Sequence, residues 1–140
     1  MTQYLNRKDV QAAIHANMTL SYPWSDCSPR LDYSYQDLLS SMLPIYKQLF
    51  QADIRILVYS GDVDGIVPTP GTKNWLAKLV STPKEAWRSW TGPDKQVGGY
   101  VTVYDELTFA TVRNAGHMVP YMQPARAFHL FDSFLKGNSI

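Results

Sequence analysis

The sequence predicts an α/β fold, and three observations carry that prediction. A compact apolar run at residues 54–60 ends in Gly61-Asp62-Val63-Asp64-Gly65. A second, at residues 107–113, ends in Asn114-Ala115-Gly116-His117-Met118-Val119-Pro120. Segments with helical periodicity stand before, between and after them, giving the helix–strand–helix–hairpin–helix order of α/β organisation. The composition is that of a packed chain: of 140 residues, 45% are hydrophobic and only 18% are charged. We therefore read residues 1–140 as belonging to one domain.

Asn6 is the expected N-cap of a helix over residues 7–16, with Val10, Ala13 and Ile14 on one face. Pro23 and Pro29 bracket a loop that carries Trp24 and Cys27. Residues 35–51 form a long amphipathic pattern through Leu38, Leu39, Met42, Ile45, Tyr46, Leu49 and Phe50. Pro44 lacks the amide proton a helix interior needs, so a kink or a split is expected there. The run 54–60 has little polar character on either face, as a central parallel strand would have. Pro68 and Pro70 lead into a helix over about residues 71–80. Residues 86–90, 97–104 and the run from Leu107 are strand-like, with a hairpin turning at Asp105-Glu106. A closing helix over 123–136 carries a stripe of Ala127, Phe128, Leu130, Phe131, Phe134 and Leu135, and Gly137 is its expected C-cap.

Thirteen basic and twelve acidic residues leave a formal charge of +1. That balance offers no electrostatic footprint for nucleic acid or an anionic membrane. No apolar run approaches a membrane span, and Met1-Thr2-Gln3-Tyr4 does not begin a signal peptide. Three histidines without a cysteine or carboxylate cluster at ligand spacing predict no metal site, and no cofactor motif stands in their place.

His117 is the sharpest chemical signal. It lies in a loop directly after an apolar strand, where Pro120 limits its freedom, and a positioned imidazole can take and return a proton near neutrality. His15 and His129 fall within predicted helices, with nothing around them that suggests catalysis. Asp62 and Asp64 both suit the partner carboxylate, and either could instead close the turn. An acid after one strand and a histidine after a later one is the chain order of the second and third members of a hydrolase triad on an α/β sheet. The first member would be a serine in Gly-x-Ser-x-Gly, and no serine of this sequence lies in such a pentapeptide. Cys27 is the only cysteine, readable as a small buried residue or as half of a disulfide to a segment not present. Asn17-Met18-Thr19 is a glycosylation sequon, and together the two lean toward an oxidising compartment. For Trp24, Trp75, Trp87 and Trp90 the expected role is mostly buried packing.

The likeness to a known family runs nearly end to end. It takes in residues 4–15, the Trp24–Cys27 loop, Val58-Tyr59-Ser60-Gly61-Asp62-Val63-Asp64, Val97-Gly98-Gly99-Tyr100, residues 107–120 and Phe134-Leu135-Lys136-Gly137. Gly-His-Met-Val-Pro after Thr-Val-Arg is its most specific part. The chain resembles the C-terminal portion of serine carboxypeptidases, or the second chain of a two-chain member. The resemblance implies part of an α/β-hydrolase sheet with flanking helices, incomplete without an N-terminal half. It implies that Asp64 orients His117, that His117 is the general base, and that Asp62 is structural. The nucleophilic serine and oxyanion donors would lie outside this chain, which alone would be inactive. Met118 would contribute to the substrate pocket, where relatives preferring basic side chains carry an acid, so an apolar preference follows. Ile66 and Val67 would line the same pocket, though core packing explains them equally well.

The resemblance further implies a disulfide from Cys27 to the N-terminal half and a secretory setting, vacuolar, lysosomal or extracellular. The implied substrate is a peptide, cut at its C-terminus through an acyl-enzyme. Acyltransferases that use glucose esters and a hydroxynitrile lyase belong to the same family and are the alternative chemistries. A non-catalytic fragment or pseudoenzyme is the alternative of a different class. Without its other half the chain is expected to leave strand 54–60 without neighbours and to expose apolar faces, and so to aggregate, form a homodimer or copurify with the missing part.

Overall fold

The computed structural model describes residues 1–31 and 34–140, and they fall into two compact units, 1–41 and 42–140. In the first unit, helices α1 (Thr2–Leu5) and α2 (Lys8–Ala13) precede a long irregular stretch and α3 (Tyr35–Leu39). Asn6 is not the cap of α2, whose N-cap is Arg7 in an extended conformation. Asn6 holds the Trp24 loop instead. Its Oδ1 accepts the Trp24 N–H at 2.7 Å, and its Nδ2 donates to the Trp24 carbonyl at 2.8 Å. A side chain committed to a segment 18 residues away cannot also cap the next helix.

The predicted face of that helix is only partly buried. Val10 is buried, whereas Ala13 and Ile14 are exposed, because α2 ends at Ala13 and His15 turns left-handed at φ 56°. His15 therefore sits in a turn, not in a helix. Asn17 is exposed, and its Oδ1 accepts both the Thr19 amide and the Thr19 hydroxyl, an Asx turn that presents the sequon. Cys27 is exposed and forms no disulfide among the described residues.

In the second unit, α4 (Leu43–Gln51) begins with Pro44 in its first turn. The predicted helix 35–51 is thus split between α3 and α4, since proline is tolerated where the amide has no helical partner. Leu39, Met42 and Ile45 of its stripe are exposed, and the side chain of Leu38 lies outside the described part. Then follow β1 (Leu57–Gly61), α5 (Thr69–Leu76), β2 (Glu85–Thr91), β3 (Val97–Val103), β4 (Thr108–Val112), α6 (Val119–Met122) and α7 (Pro124–Lys136). The sheet order is β1-β4-β3-β2. Strands β1 and β4 run parallel, from Leu57 opposite Thr108 to Gly61 opposite Val112. Strands β2, β3 and β4 are antiparallel neighbours, and the Tyr104 amide donates to the Leu107 carbonyl at 2.9 Å to close the hairpin at Asp105-Glu106.

Alternation along β4 divides the core. Ala110 and Val112 face a cluster with Trp90, Val101, Ala115, Val119 and Leu130, while Phe109 faces Leu76 and Leu107, with Phe50 and Trp75 beside them. Helices α6 and α7 therefore cover one face of the sheet, and α4 and α5 the other. Strand β1 is an edge strand among the described residues, not the central one expected, and Tyr59 on it is half exposed. It keeps β4 as a neighbour, so strand 54–60 is not without pairing.

The stripe on α7 divides as well. Leu130 is buried and Ala127 and Phe134 partly so, but Phe128, Phe131 and Leu135 are each more than half exposed. At about 100° per residue, 127, 130 and 134 point to the sheet while 128, 131 and 135 form a second stripe beside them. Gly137 closes α7 at φ 69°, with its amide on the Phe134 carbonyl and the Asn138 amide on the Ser133 carbonyl. Of the four tryptophans only Trp90 is buried. Its Nε1–H donates to the Thr111 carbonyl at 2.9 Å, whereas Trp24 and Trp87 are partly exposed, 37% and 41%, and Trp75 is half-buried. No helix among the described residues is long and apolar enough to cross a membrane.

Candidate active site

Because β1 and β4 are parallel neighbours, the loops that follow them leave the same end of the sheet, where open α/β sheets gather their sites. Three bonds bind the loops together. The Asp62 amide donates to the Val112 carbonyl and the Val63 amide to the Ala115 carbonyl, each at 3.1 Å. The Asp62 carboxylate accepts the Asn114 amide at 2.7 Å. Asp62 is thus occupied in holding the second loop and points no oxygen at His117. Gly61 makes the approach feasible, because a Cβ there would stand 2.2 Å from the Ala115 carbonyl oxygen. At the base of the first loop, the Ser60 and Thr69 hydroxyls meet at 3.0 Å and tie β1 to α5.

Asp64 and His117 are brought together. Asp64 Oδ2 lies 3.1 Å from His117 Nδ1, and Asp64 Oδ1 accepts the amides of Ile66 at 2.8 Å and Val67 at 3.1 Å. The carboxylate side chain is only 7% exposed and the imidazole is 50% exposed. Burial works against the charge on Asp64, yet the Ile66 amide, the His117 ring and the Val67 amide outweigh it and hold its carboxyl below the ordinary aspartate range. An ionised Asp64 can only accept, so in the neutral imidazole Nδ1 carries the proton and Nε2 keeps its lone pair. That is the arrangement in which an imidazole can remove a proton from a hydroxyl.

A folded-state pKa below the unfolded one means that the carboxylate's contribution is complete above the ordinary aspartate pKa. It is lost as pH falls through the lower, folded value. A carboxyl-carbon NMR titration should therefore place the Asp64 midpoint below that of aspartate in a short peptide. His117→Ala should move it upward. A midpoint at or above the peptide value would contradict the geometry.

Met118 and Ile66 are well exposed and Val67 half so, and neither Ile66 nor Val67 belongs to the core of the described residues. What the residue types did not reveal is the work of their backbone, since the amides of Ile66 and Val67 fix Asp64. An aspartate followed at i+2 and i+3 by amides free to turn back is the signal that could have located this. Among the described residues, no three His, Cys, Asp or Glu side chains gather as a metal-binding group.

A family model described as serine carboxypeptidase matches residues 1–137. The chain belongs to the serine carboxypeptidase family. Serine carboxypeptidase 24 of Arabidopsis thaliana is 48% identical over 139 residues, covering 99% of this chain and 30% of that protein. Serine carboxypeptidase-like 25 of the same plant is 47% identical over 138 residues, 98% of this chain and 29% of its own length. P-(S)-hydroxymandelonitrile lyase of Sorghum bicolor is 41% identical over 138 residues, 96% of this chain and 27% of that enzyme. Among solved structures, Kex1(Δ)p, a prohormone-processing carboxypeptidase from Saccharomyces cerevisiae, matches with a TM-score of 0.69 at 20% identity, over 97% of this chain and 31% of that one. That likeness shows the fold. The four-stranded mixed sheet with its flanking helices matches part of the α/β fold of that structure, and the chain spans about 30% of the length of the relatives it matches.

Proposed function

We propose that this chain supplies the acid and the base of a serine carboxypeptidase whose nucleophile and oxyanion donors belong to the rest of a longer enzyme. The observation that carries the reading is the 3.1 Å pair between Asp64 Oδ2 and His117 Nδ1 at the ends of adjacent parallel strands. In this reading His117 Nε2 takes the proton of a serine hydroxyl as its oxygen attacks the last peptide carbonyl. The C–N bond then breaks, His117 returns the proton to the departing amino group, and water hydrolyses the acyl-enzyme by the same relay. Asp64 stays ionised and stabilises the imidazolium. Met118, Ile66 and Val67 present apolar side chains beside the pair, which supports a preference for apolar substrate residues.

The remainder of the enzyme is the proposed partner. An exposed Cys27 thiol is available for a disulfide to it, and β1 has an edge unpaired among the described residues. Beside that edge lies an apolar hollow of about 380 Å³ lined by Tyr59, Phe128 and Phe131, which supports burial against further polypeptide. An exposed sequon at Asn17 and an exposed cysteine fit the secretory pathway, vacuolar, lysosomal or extracellular.

Assays on a blocked dipeptide should show turnover by the longer enzyme and none by the 140-residue chain alone. Turnover by the isolated chain would overturn the division of the triad. Intact mass under non-reducing conditions should give a heavier species that falls to 15.9 kDa on reduction if the two parts are separate chains joined through Cys27. The 41% identity to the hydroxymandelonitrile lyase supports a second reading, in which the same pair handles the proton of a cyanohydrin hydroxyl. Cyanide release from hydroxymandelonitrile without peptide hydrolysis would favour it.

A further inference from the structure

Gly116, the residue before His117, is buried, so its amide cannot turn to water and needs an acceptor within the protein. The acceptor is the thioether of Met122, with Sδ 3.1 Å from the Gly116 nitrogen. Helix α6 is a single turn, held by the Met122 amide on the Met118 carbonyl at 3.0 Å and the Gln123 amide on the Val119 carbonyl at 2.8 Å. The turn brings the sulfur at its end back to the Ala115–Gly116 peptide, one residue before His117. Met122 is 48% exposed, so burial does not account for a methionine at this position. On the other side, the Ala115 carbonyl is held by the Val63 amide at 3.1 Å. The Ala115–Gly116 peptide, one residue before His117, is thus gripped at its carbonyl by a backbone bond from β1's loop and at its N–H by a sulfur from α6.

We propose that Met122 is a positioning residue for His117, acting through the N–H···S bond to Gly116; this rests on reading His117 as the general base. A thioether is a weak acceptor, yet a leucine of similar size offers none and leaves a buried amide unpaired. With that bond gone the Ala115–Gly116 peptide is held only at its carbonyl, so the turn into His117 loosens and Nδ1 drifts from the fixed Asp64 carboxylate. Because the substrate does not touch Met122 in this account, the loss falls on kcat and leaves KM nearly unchanged.

The test uses the longer enzyme with Met122→Leu and Met122→Gln, the second returning an acceptor on a side chain of similar reach. In Met122→Leu, kcat should fall about 10- to 100-fold with KM within about twofold, as expected for a small misplacement of a catalytic group. Exchange of the Gly116 amide, followed by selective ¹⁵N-glycine labelling, should quicken at least about tenfold once its bond is lost. Met122→Gln should restore both. Unchanged exchange in Met122→Leu would show that the sulfur is not the acceptor. Quickened exchange with unchanged kcat would show that the bond does not position His117, and a folded Met122→Gln that fails to recover would show that side-chain shape matters instead. If the wild-type enzyme hydrolyses no peptide, the functional reading fails by itself. The His117 Nδ1–H resonance, compared between wild type and Met122→Leu, still decides the positioning role: an unshifted resonance overturns it.

Discussion

Replacing Asp64 with asparagine should lower kcat of the longer enzyme about ten-thousand-fold while its fold survives, the loss expected when a triad imidazole is held in the wrong tautomer. The reason is local. Asp64 Oδ1 is saturated by the amides of Ile66 and Val67, so an asparagine keeps its oxygen there and turns its NH2 toward His117. Nδ1 must then accept instead of donate, which places the proton on Nε2, the nitrogen that has to receive one. His117→Ala should remove activity to a similar or greater extent, because no other described group stands by to take the proton. Steady-state kinetics on a blocked dipeptide, with circular dichroism to verify folding, measures both. A loss below about tenfold in Asp64→Asn would remove Asp64 from the triad. The companion Asp62→Asn should behave differently, since Asp62 uses its oxygen to accept the Asn114 amide and asparagine retains such an oxygen.

Gly61→Ala should be the most damaging change to the framework, costing about 3 kcal/mol or more by forced overpacking. Its added methyl would fall 2.2 Å from the Ala115 carbonyl oxygen and 2.4 Å from that of Gly116. Both neighbours are backbone and neither can rotate aside. Relief requires the His117 loop to withdraw from β1, which breaks the Val63–Ala115 bond and the Asp62–Asn114 bond together. Stability and activity should therefore fall in the same variant. Gly65→Ala is the control. A Cβ there meets nothing within 4 Å, and its effect on stability should stay within about 0.5 kcal/mol. Denaturant midpoints of the two variants against wild type decide the matter, and equal midpoints would refute the close approach.

Much of the fold was legible because local chemistry enforces it. Pro44 cannot sit inside a helix, and the predicted helix does divide there. Gly137 adopts the left-handed conformation a helix end requires, and Asp105-Glu106 turns the hairpin. Burial was less legible. Phe128, Phe131 and Leu135 share helical spacing with Leu130 yet remain exposed, because periodicity says which residues lie on one side of a helix and not how wide its partner is. Asn6 has the composition of a cap, but a bond to Trp24 outcompetes that role from far along the chain. The strand at β1 is apolar enough for the middle of a sheet and lies at its edge here, where the chain spans about 30% of its relatives.

By itself the sequence determined the family and the two loops that matter, because Gly-Asp-x-Asp and Gly-His-Met-Val-Pro each follow an apolar strand and spell a specific pattern. Residue types alone left Asp62 and Asp64 equivalent, and the family likeness favoured Asp64. Only the tertiary structure decided how the two aspartates differ physically. Parallel pairing of β1 with β4 sets both loops at one end of the sheet, the missing side chain of Gly61 lets them touch, and two backbone amides aim Asp64. It likewise decided what lies beneath the histidine, a buried amide held by the sulfur of Met122. These are contacts between groups whose direction depends on where distant strands meet, and spacing along the chain carries no record of that distance.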